Sequence, residues 1–386
     1  MTISEVQPEA ALKLYAGQPM HDVFPVLKDF LPTKVMTPCI APSPFPSGDS
    51  LSLPEHYEYL SEQKTTEALI KETDTAALLV LKQGKICFEH YYLTGGKDVP
   101  WISFSMSKSI VSALVGIALE EGKISSIEDP ISDYVPSLKG SAYDGVSILH
   151  VLQMSSGARW SEDYSDPNAE VHRFEAVMAG IDTLEEFVSG IERGYEPGKQ
   201  CRYNSADTMA LGLLLIKATG VSISAYMQKH LYNPLRMENA GYWLIDREGT
   251  EMAAGGVLMT ARDFAKFGEL FRNSGVWNGK QIIPAAWVNA STTIQAAHLK
   301  PGEVLLGDHK FPLGYGLQWW IPEGDLGEFS AIGVYNQFIY VDPSRDLVIV
   351  KLSSNRQYGT TSSESTNKEL ETLEMLRAIA KATDEK

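Results

Sequence analysis

The sequence contains few cysteines and fewer positive than negative charges, and each shortage excludes a class of protein or partner. Cys39, Cys87 and Cys201 are the three cysteines in 386 residues, and no C-x-x-C pair occurs, so no disulfide framework is predicted. The 33 basic residues are outnumbered by 49 acidic ones, which gives a formal net charge of −16. Because this charge repels phosphate, we expect neither nucleic acid nor an anionic membrane among the partners.

Long apolar runs are missing as well. No 18 consecutive residues are apolar, so no membrane-spanning helix is expected. Residues 1–17 contain Glu5 and Glu9 and no continuous apolar stretch, which argues against a secretory signal. A cytoplasmic location is therefore the expectation.

Several common catalytic and cofactor-binding motifs are also absent. The sequence contains no G-x-S-x-G, no phosphate-binding G-x-x-x-x-G-K-[ST], no G-x-G-x-x-G and no H-E-x-x-H. The eight histidines are scattered, so neither a metal site nor a Ser–His–Asp triad is indicated. We expect no metal and no organic cofactor.

The chemistry that the sequence does contain centres on Ser105-x-x-Lys108. An apolar helical run follows from Ile110 to Leu119, and Gly122 is typical of a helix end. Residues three apart share one face of a helix, so the serine hydroxyl and the lysine amine are expected to meet at the helix start. A lysine whose pKa is lowered by burial can activate a serine hydroxyl as a nucleophile.

The same spacing occurs twice more, and its ordinary meaning is structural. Ser61-x-x-Lys64 and Ser365-x-x-Lys368 lie among polar residues, where a serine typically caps a helix and the lysine is solvated. Only Ser105 follows a segment that contains aromatic residues and precedes a predicted apolar helix. The surrounding sequence therefore selects Ser105 as the candidate nucleophile.

The order of predicted elements indicates an α+β protein. Residues 76–81 and 86–93 are rich in strand-forming residues and flank Gln83-Gly84, which predicts a hairpin. Short strands recur between residues 316 and 352, whereas 61–72, most of 123–250 and 367–383 favour helices. We expect one antiparallel sheet flanked by helices, with an inserted mainly helical domain.

This order suggests a division of the chain. Residues 1–60, which are proline-rich from Pro32 to Pro54, are predicted to be an N-terminal extension packed on the main body or at a dimer contact. Residues 61–130 and 251–386 form the predicted α/β domain, and residues 131–250 form the inserted helical domain. The active site is expected in the cleft between them.

Ser105-x-x-Lys108 is the first of a series of short motifs within roughly residues 70–355. The others include Leu152-Gln153-Met154-Ser155-Ser156-Gly157, Tyr203-Asn204-Ser205, Pro234-Leu235-Arg236-Met237, Ala254-Gly255-Gly256, Tyr315-Gly316-Leu317 and Ala331-Ile332-Gly333. In this order they resemble the serine β-lactamase and penicillin-binding-protein superfamily, on its class C side. The resemblance implies a β-lactamase-like fold.

The resemblance also implies roles for individual residues. Tyr203 matches the general base of the family, and a phenol of pKa about 10 can serve as a base if Lys108 donates a hydrogen bond to it. The backbone N–H groups of Ser105 and Val334 match the oxyanion hole. Ser205 and the segment Ile332-Gly333 match positions that contact substrate.

Two positions depart from the family pattern. Ser205 replaces an asparagine, and a hydroxyl cannot make the paired contacts of an amide. Ala331 replaces the lysine or histidine that meets the carboxylate of a β-lactam. Both departures argue against β-lactamase activity.

Class C-like hydrolases with an altered last motif include carboxylesterases and 6-aminohexanoate-dimer hydrolases. The segment from Trp160 to Tyr164 resembles a loop of the latter, in which an aromatic residue closes over the substrate, and Tyr164 is the matching position. Trp320 is expected either to line the acyl pocket or to pack in the core.

These observations predict a serine hydrolase that acts through an acyl-enzyme on short-chain carboxylic esters and on linear amides such as 6-aminohexanoate oligomers. The alternatives are a β-lactamase or D,D-peptidase, and a non-catalytic binding protein that retains the fold. The expected partner is a small-molecule ester or amide, and a homodimer remains open.

Overall fold

A seven-stranded antiparallel sheet forms the centre of the fold and combines two distant parts of the chain. The structure, a computed structural model, describes residues 20–384, except for the side chain of Glu175. In spatial order the strands are β13 (Gly314–Tyr315), β14 (Trp320–Ile321), β15 (Phe329–Gly333), β16 (Gln337–Asp342), β17 (Leu347–Ser353), β4 (Thr75–Lys82) and β5 (Lys85–Tyr91). Because β17 pairs with β4, the predicted union of the early hairpin with the late strands is confirmed.

The hairpin β4–β5 shows how local sequence sets this sheet. Every residue from Thr75 to Leu81 is buried, as expected of a short, continuous apolar run in a strand. Gln83 and Gly84 adopt φ values of 53° and 69°, which suit a two-residue turn matched to the twist of the flanking strands. The predicted hairpin is confirmed at its predicted turn.

Helices cover the sheet on both faces. Leu79 and Val350 belong to one core cluster and Leu78 and Ile349 to another, because alternate residues of a strand point to opposite faces. The helices are α1 (Met20–Val23), α2 (Leu27–Phe30), α3 (Thr66–Glu72), α4 (Met106–Glu120), α5 (Ile131–Tyr134), α6 (Ile148–Leu152), α7 (Arg173–Met178), α8 (Leu184–Ser189), α9 (Ser205–Thr219), α10 (Ile223–Met227), α11 (Ala261–Arg272), α12 (Ala285–Ser291), α13 (Glu364–Asn367) and α14 (Glu369–Ala382). Helices α4 and α11 pack on the first cluster, and α14 packs on the second.

A smaller four-stranded antiparallel sheet takes one strand from each of the four residue ranges of the predicted division, 1–60, 61–130, 131–250 and 251–386. Its order is β1 (Thr33–Met36), β7 (Gly241–Leu244), β8 (Val257–Met259) and β6 (Trp101–Ile102). Three hairpins complete the strands: β2 (His56–Tyr59) with β3 (Glu62–Thr65), β9 (Val276–Trp277) with β10 (Lys280–Gln281), and β11 (Val304–Leu306) with β12 (His309–Phe311). The helix predicted over residues 61–72 was therefore half wrong, because its first turn is strand β3.

Residues 20–36 pack against the main body of the protein. Phe24, Leu27 and Leu31 are buried, and β1 adds an edge strand to the smaller sheet. The predicted extension starts at residue 1, and residues 1–19 lie outside the described part. Between residues 20 and 384, no single helix is long and apolar enough to cross a bilayer, although the bent pair Ser205–Thr219 and Ile223–Tyr232 would suffice in length and composition.

Candidate active site

A sharp backbone turn presents Ser105 at the start of helix α4. Phe104 has a φ of 44°, a left-handed value that bulky residues rarely adopt, and Ser105 directly precedes the first helical residue. The Ser105 side chain is 8% exposed and lines two adjoining cavities. The first N–H groups of a helix have no intrahelical acceptor, so the Ser105 N–H can face an oxyanion.

Lys108 is fully buried, and its amine is directed at Ser105. Its Nζ lies 2.9 Å from Ser105 Oγ, 2.9 Å from Ser205 Oγ and 2.8 Å from the carbonyl oxygen of Ala254. Burial lowers the pKa of Lys108 to about 8, and the nearby Glu162 carboxylate opposes part of that shift. A fraction of the lysine is therefore neutral near pH 7 and can accept the proton of Ser105.

Tyr203 also contacts Ser105, but its relation to Lys108 differs from the one expected from the sequence. Its side chain hydrogen-bonds Ser105, and Lys108 Nζ lies 5.2 Å from the centre of its ring. The hydrogen bond expected from Lys108 to the phenol is replaced by those to Ser205 and Ala254. Burial, followed by the charge of Glu162, raises the pKa of Tyr203 well above its usual value, so the phenol keeps its proton at neutral pH.

Ser205 connects Lys108 to a carboxylate that the sequence analysis did not single out. Ser205 Oγ accepts from Lys108 and donates to Glu162 Oε1, while the Ser205 backbone N–H donates to Glu162 Oε2 at 3.0 Å. Glu162 is 2% exposed and also accepts hydrogen bonds from the Trp160 indole and, at 3.0 Å, from the Tyr164 hydroxyl. The serine that replaces the usual asparagine thus bridges the lysine and a buried acid.

The end of strand β15 lies against the start of helix α4. A Cβ atom added to Gly333 would lie 2.5 Å from Ser103 O and 3.1 Å from Ser105 N, so only glycine allows this approach. The next residue, Val334, therefore lies close to Ser105 and lines both cavities that contain it. This geometry is compatible with the predicted oxyanion hole.

The larger cavity beside Ser105 has a volume of about 310 Å³ and is mainly apolar. Its walls include Leu27, Leu31, Ile102, Phe104, Tyr164, Phe174, Leu244 and Met252. The volume is near the lower end of the range for small-molecule sites. Two of these wall residues, Leu27 and Leu31, come from the N-terminal extension and were not foreseen.

A smaller cavity of about 20 Å³ lies on the other side of Ser105, next to Tyr203. Glu162, Tyr164, Trp320 and Ile332 are among its walls, and the volume suffices for one water molecule. Trp320 stacks on Tyr203 with ring centres 5.0 Å apart and is not part of the larger cavity wall. The structure thus brings Trp320, Tyr164 and Ile332 close to Ser105, with Trp320 on the side of Tyr203.

No group of three or more His, Cys, Asp or Glu placed to hold a metal ion occurs within the part of the chain that the structure describes. The polar groups around Ser105 are instead the lysine, the phenol, the hydroxyls and the carboxylate described above. Together they can move a proton to and from a serine oxygen.

A serine, a buried lysine of lowered pKa and a tyrosine at the edge of an antiparallel sheet define a serine hydrolase site. A family model described as Beta-lactamase matches residues 63–371, and the chain belongs to this β-lactamase family. The 6-aminohexanoate-dimer hydrolase of Paenarthrobacter ureafaciens is 33% identical over 297 residues, which cover 75% of this chain and 74% of that protein.

Solved structures show the same fold. A proposed 6-aminohexanoate-dimer hydrolase from Bacillus anthracis has a TM-score of 0.84 at 24% identity and covers 99% of this chain and 98% of its own. EstCE1, a hydrolase with promiscuous acyltransferase activity, has a TM-score of 0.61 at 17% identity, with 82% and 96% covered. The predicted α+β, β-lactamase-like fold and the predicted hydrolase class are confirmed.

Proposed function

We propose that the protein hydrolyses carboxylic esters of short acyl chains and linear amides, for example 6-aminohexanoate oligomers, through an acyl-enzyme on Ser105. The observation that carries this proposal is the 2.9 Å contact between Lys108 Nζ and Ser105 Oγ, together with the lowered pKa of the lysine. A neutral amine at hydrogen-bonding distance from a hydroxyl is the arrangement that general-base activation requires.

In the acylation step, Ser105 Oγ forms a bond to the substrate carbonyl carbon and its proton passes to neutral Lys108. The N–H groups of Ser105 and Val334 stabilise the resulting oxyanion. Collapse of the intermediate breaks the bond to the leaving oxygen or nitrogen, which takes the proton of the Tyr203 phenol. The proton held by Lys108 then restores the phenol, so the enzyme returns to its starting charge.

In the deacylation step, water replaces the leaving group. The small cavity between Ser105, Tyr203 and Glu162 has room for a single water molecule. The water gives its proton to the neutral lysine as its oxygen attacks the acyl carbon. Release of the acid breaks the Ser105 ester bond, and Lys108 gives the proton taken from water to Ser105 Oγ, so the lysine is neutral again.

One relative supports the amide class, because the Paenarthrobacter enzyme is named for the dimer of 6-aminohexanoate. EstCE1, described as a hydrolase with promiscuous acyltransferase activity, shares the fold. A β-lactamase or D,D-peptidase is the weaker alternative, because Ala331 supplies no cation and is 1% exposed. A non-catalytic role is opposed by the contacts among Ser105, Lys108 and Tyr203.

The test compares two serines with the same local motif. Ser105→Ala should abolish hydrolysis of p-nitrophenyl acetate and labelling by a serine-directed phosphonate, measured by intact mass. Ser61→Ala, which removes the exposed serine of the other S-x-x-K sequence near the N-terminus, should retain both. Turnover that persists in Ser105→Ala at the wild-type rate, or no turnover of any ester or amide by the wild type, would reject the proposal.

A further inference from the structure

The larger cavity is closed on one side by residues from outside the catalytic family region. Leu27 and Leu31 line it, and both are 4% exposed. They belong to the short segment from Met20 to Leu31, whereas the family match begins at residue 63. A part of the chain that carries none of the catalytic motifs therefore forms part of the substrate cavity.

The same segment contacts the residues that flank both proposed oxyanion N–H groups. The Phe24 ring lies 5.1 Å from the ring of Phe104, which precedes Ser105, and 5.4 Å from the ring of Tyr335, which follows Val334. It also packs edge-on against Trp101 at 5.8 Å. Such edge-to-face aromatic contacts add to the free energy gained by burial alone.

Backbone pairing fixes the position of this segment. Strand β1 pairs with β7 from Thr33 to Met36. In this pairing Thr33 lies opposite Leu244, which is itself a wall residue of the cavity. The Ile245 N–H donates to Pro32 O at 3.1 Å, directly after Leu31. The leucines are thereby held at a fixed distance from the opposite wall, as a site that measures chain length requires.

The location of Tyr203 indicates which part of the substrate enters the larger cavity. Tyr203, the proposed proton donor to the leaving group, lines the small cavity and not the larger one. A third cavity, of about 210 Å³, shares Glu162, Leu306 and Phe311 with the small cavity, and none of these residues lines the larger one, so the leaving group has space on that side. The apolar cavity is therefore left for the acyl chain.

We propose that the N-terminal segment forms the end wall of an aliphatic acyl pocket and that Leu27 and Leu31 set the acyl chain length the enzyme accepts. The proposal rests on the proposed function and adds the substrate feature that this segment recognises. Each methylene that fits the pocket should raise kcat/KM by about fourfold. A methylene that meets the leucine wall should lower it.

The experiment measures kcat/KM for p-nitrophenyl esters from acetate to decanoate in the full-length protein. In Leu31→Ala the preferred acyl chain should become longer, because the smaller side chain extends the pocket. In Leu31→Phe the preferred chain should become shorter. The readout is the kcat/KM for the decanoate or the hexanoate ester divided by the kcat/KM for the acetate ester. A general loss of folded protein lowers both values equally and leaves this ratio unchanged.

Two control variants keep the test independent of folding. Phe30→Ala removes an exposed ring next to Leu31, and Val23→Ala removes buried volume from the same segment but not from the cavity wall. Both should retain the wild-type chain-length profile, even where Val23→Ala lowers Tm.

Three results would overturn the inference while leaving the proposed function intact. The first is an unchanged chain-length profile of kcat/KM in both Leu31 variants, and the second is a change of that profile in the control variants equal to the change in the Leu31 variants. The third is a kcat/KM that depends on the length of the alcohol in a series of alkyl acetates rather than on the length of the acyl chain. Absence of hydrolysis in the wild type would instead reject the proposed function itself.

Discussion

Ser205 and Glu162 are joined by two hydrogen bonds, one from the Ser205 hydroxyl to Oε1 and one from its backbone N–H to Oε2. Because Ser205 Oγ also accepts from Lys108, the carboxylate acts on the lysine through one hydroxyl. The carboxylate favours the charged lysine, whereas burial favours the neutral one. The balance between these effects sets the pH at which the base becomes available.

The first prediction concerns the pH dependence of ester hydrolysis. Lys108 must be neutral to accept a proton, so kcat/KM should rise with pH and level off above about 8. Glu162→Gln keeps the shape of the side chain and removes its charge, so the midpoint of this rise should shift to lower pH. Asp163→Asn, at the neighbouring carboxylate, serves as the control. An unshifted midpoint in Glu162→Gln would contradict the coupling.

The second prediction separates the base from the acid. Lys108→Met removes the amine from a fully buried position and should lower kcat for an ester by about 10²–10⁴-fold. Tyr203→Phe should cost a similar factor with p-nitroanilides but less with p-nitrophenyl esters, because nitrophenolate departs without a proton. Steady-state rates on one matched acyl group provide the comparison. Near-normal amide hydrolysis by Tyr203→Phe would mean that another group protonates the leaving nitrogen.

The third prediction concerns Tyr164, which lines all three cavities around Ser105. Its hydroxyl donates to Glu162 at 3.0 Å. We expect this hydroxyl to turn toward the departing nitrogen when an amide is bound. Tyr164→Phe should therefore reduce kcat/KM for a linear amide more than for the ester of the same acid, and a cephalosporin should remain the slowest substrate. An equal loss for ester and amide would leave Tyr164 with a packing role only.

The fourth prediction concerns stability. Asp207 Oδ1 accepts hydrogen bonds from Tyr143, Ser156 and Asn204, whereas its buried Oδ2 has no hydrogen-bond partner in the described structure. Burial raises the pKa of Asp207 to about 8. Between pH 4 and about 8, the folded state therefore holds a proton that the unfolded state has lost, so this residue makes stability fall as pH rises.

Asp207→Asn places an amide where the protonated acid stands and removes this titration. The variant should lose less stability than the wild type when the pH is raised from 5 to 8, as measured by urea unfolding. Asp49→Asn, at an exposed loop, should follow the wild type. A variant curve parallel to that of the wild type would show that Asp207 is ionised in the folded protein.

The sequence analysis singled out Ser105, Lys108 and Tyr203, which the structure brings together, for reasons that are local. Ser105 and Lys108 are one helical turn apart, and Tyr203 is recognised by the order of short motifs around it. Glu162 was missed because its contact with Ser205 spans 43 residues and depends on the path of a loop. The carbonyl of Ala254, which takes the hydrogen bond expected for Tyr203, is 146 residues from Lys108, and no periodicity indicates it.

The N-terminal wall was missed for a different reason. The proline-rich sequence between Pro32 and Pro54 indicated an extension packed on the main body or at a dimer contact, but it gave no information about what the preceding leucines touch. Their place beside Ser105 depends on the pairing of β1 with β7, which are separated by about two hundred residues. Long-range pairing of this kind is set by the whole fold rather than by local pattern.

The burial of Ala331 has a consequence for how this site can evolve. Ala331 lies on β15 opposite Ile339, within the same apolar cluster as Phe271 and Phe329. Introducing a lysine there would place an ammonium group among hydrocarbon side chains, at a cost of several kcal/mol. A lineage that started from this enzyme would have to open space and supply hydrogen-bond acceptors before that charge became tolerable, so recognition of a carboxylate would require an ordered series of changes rather than a single substitution.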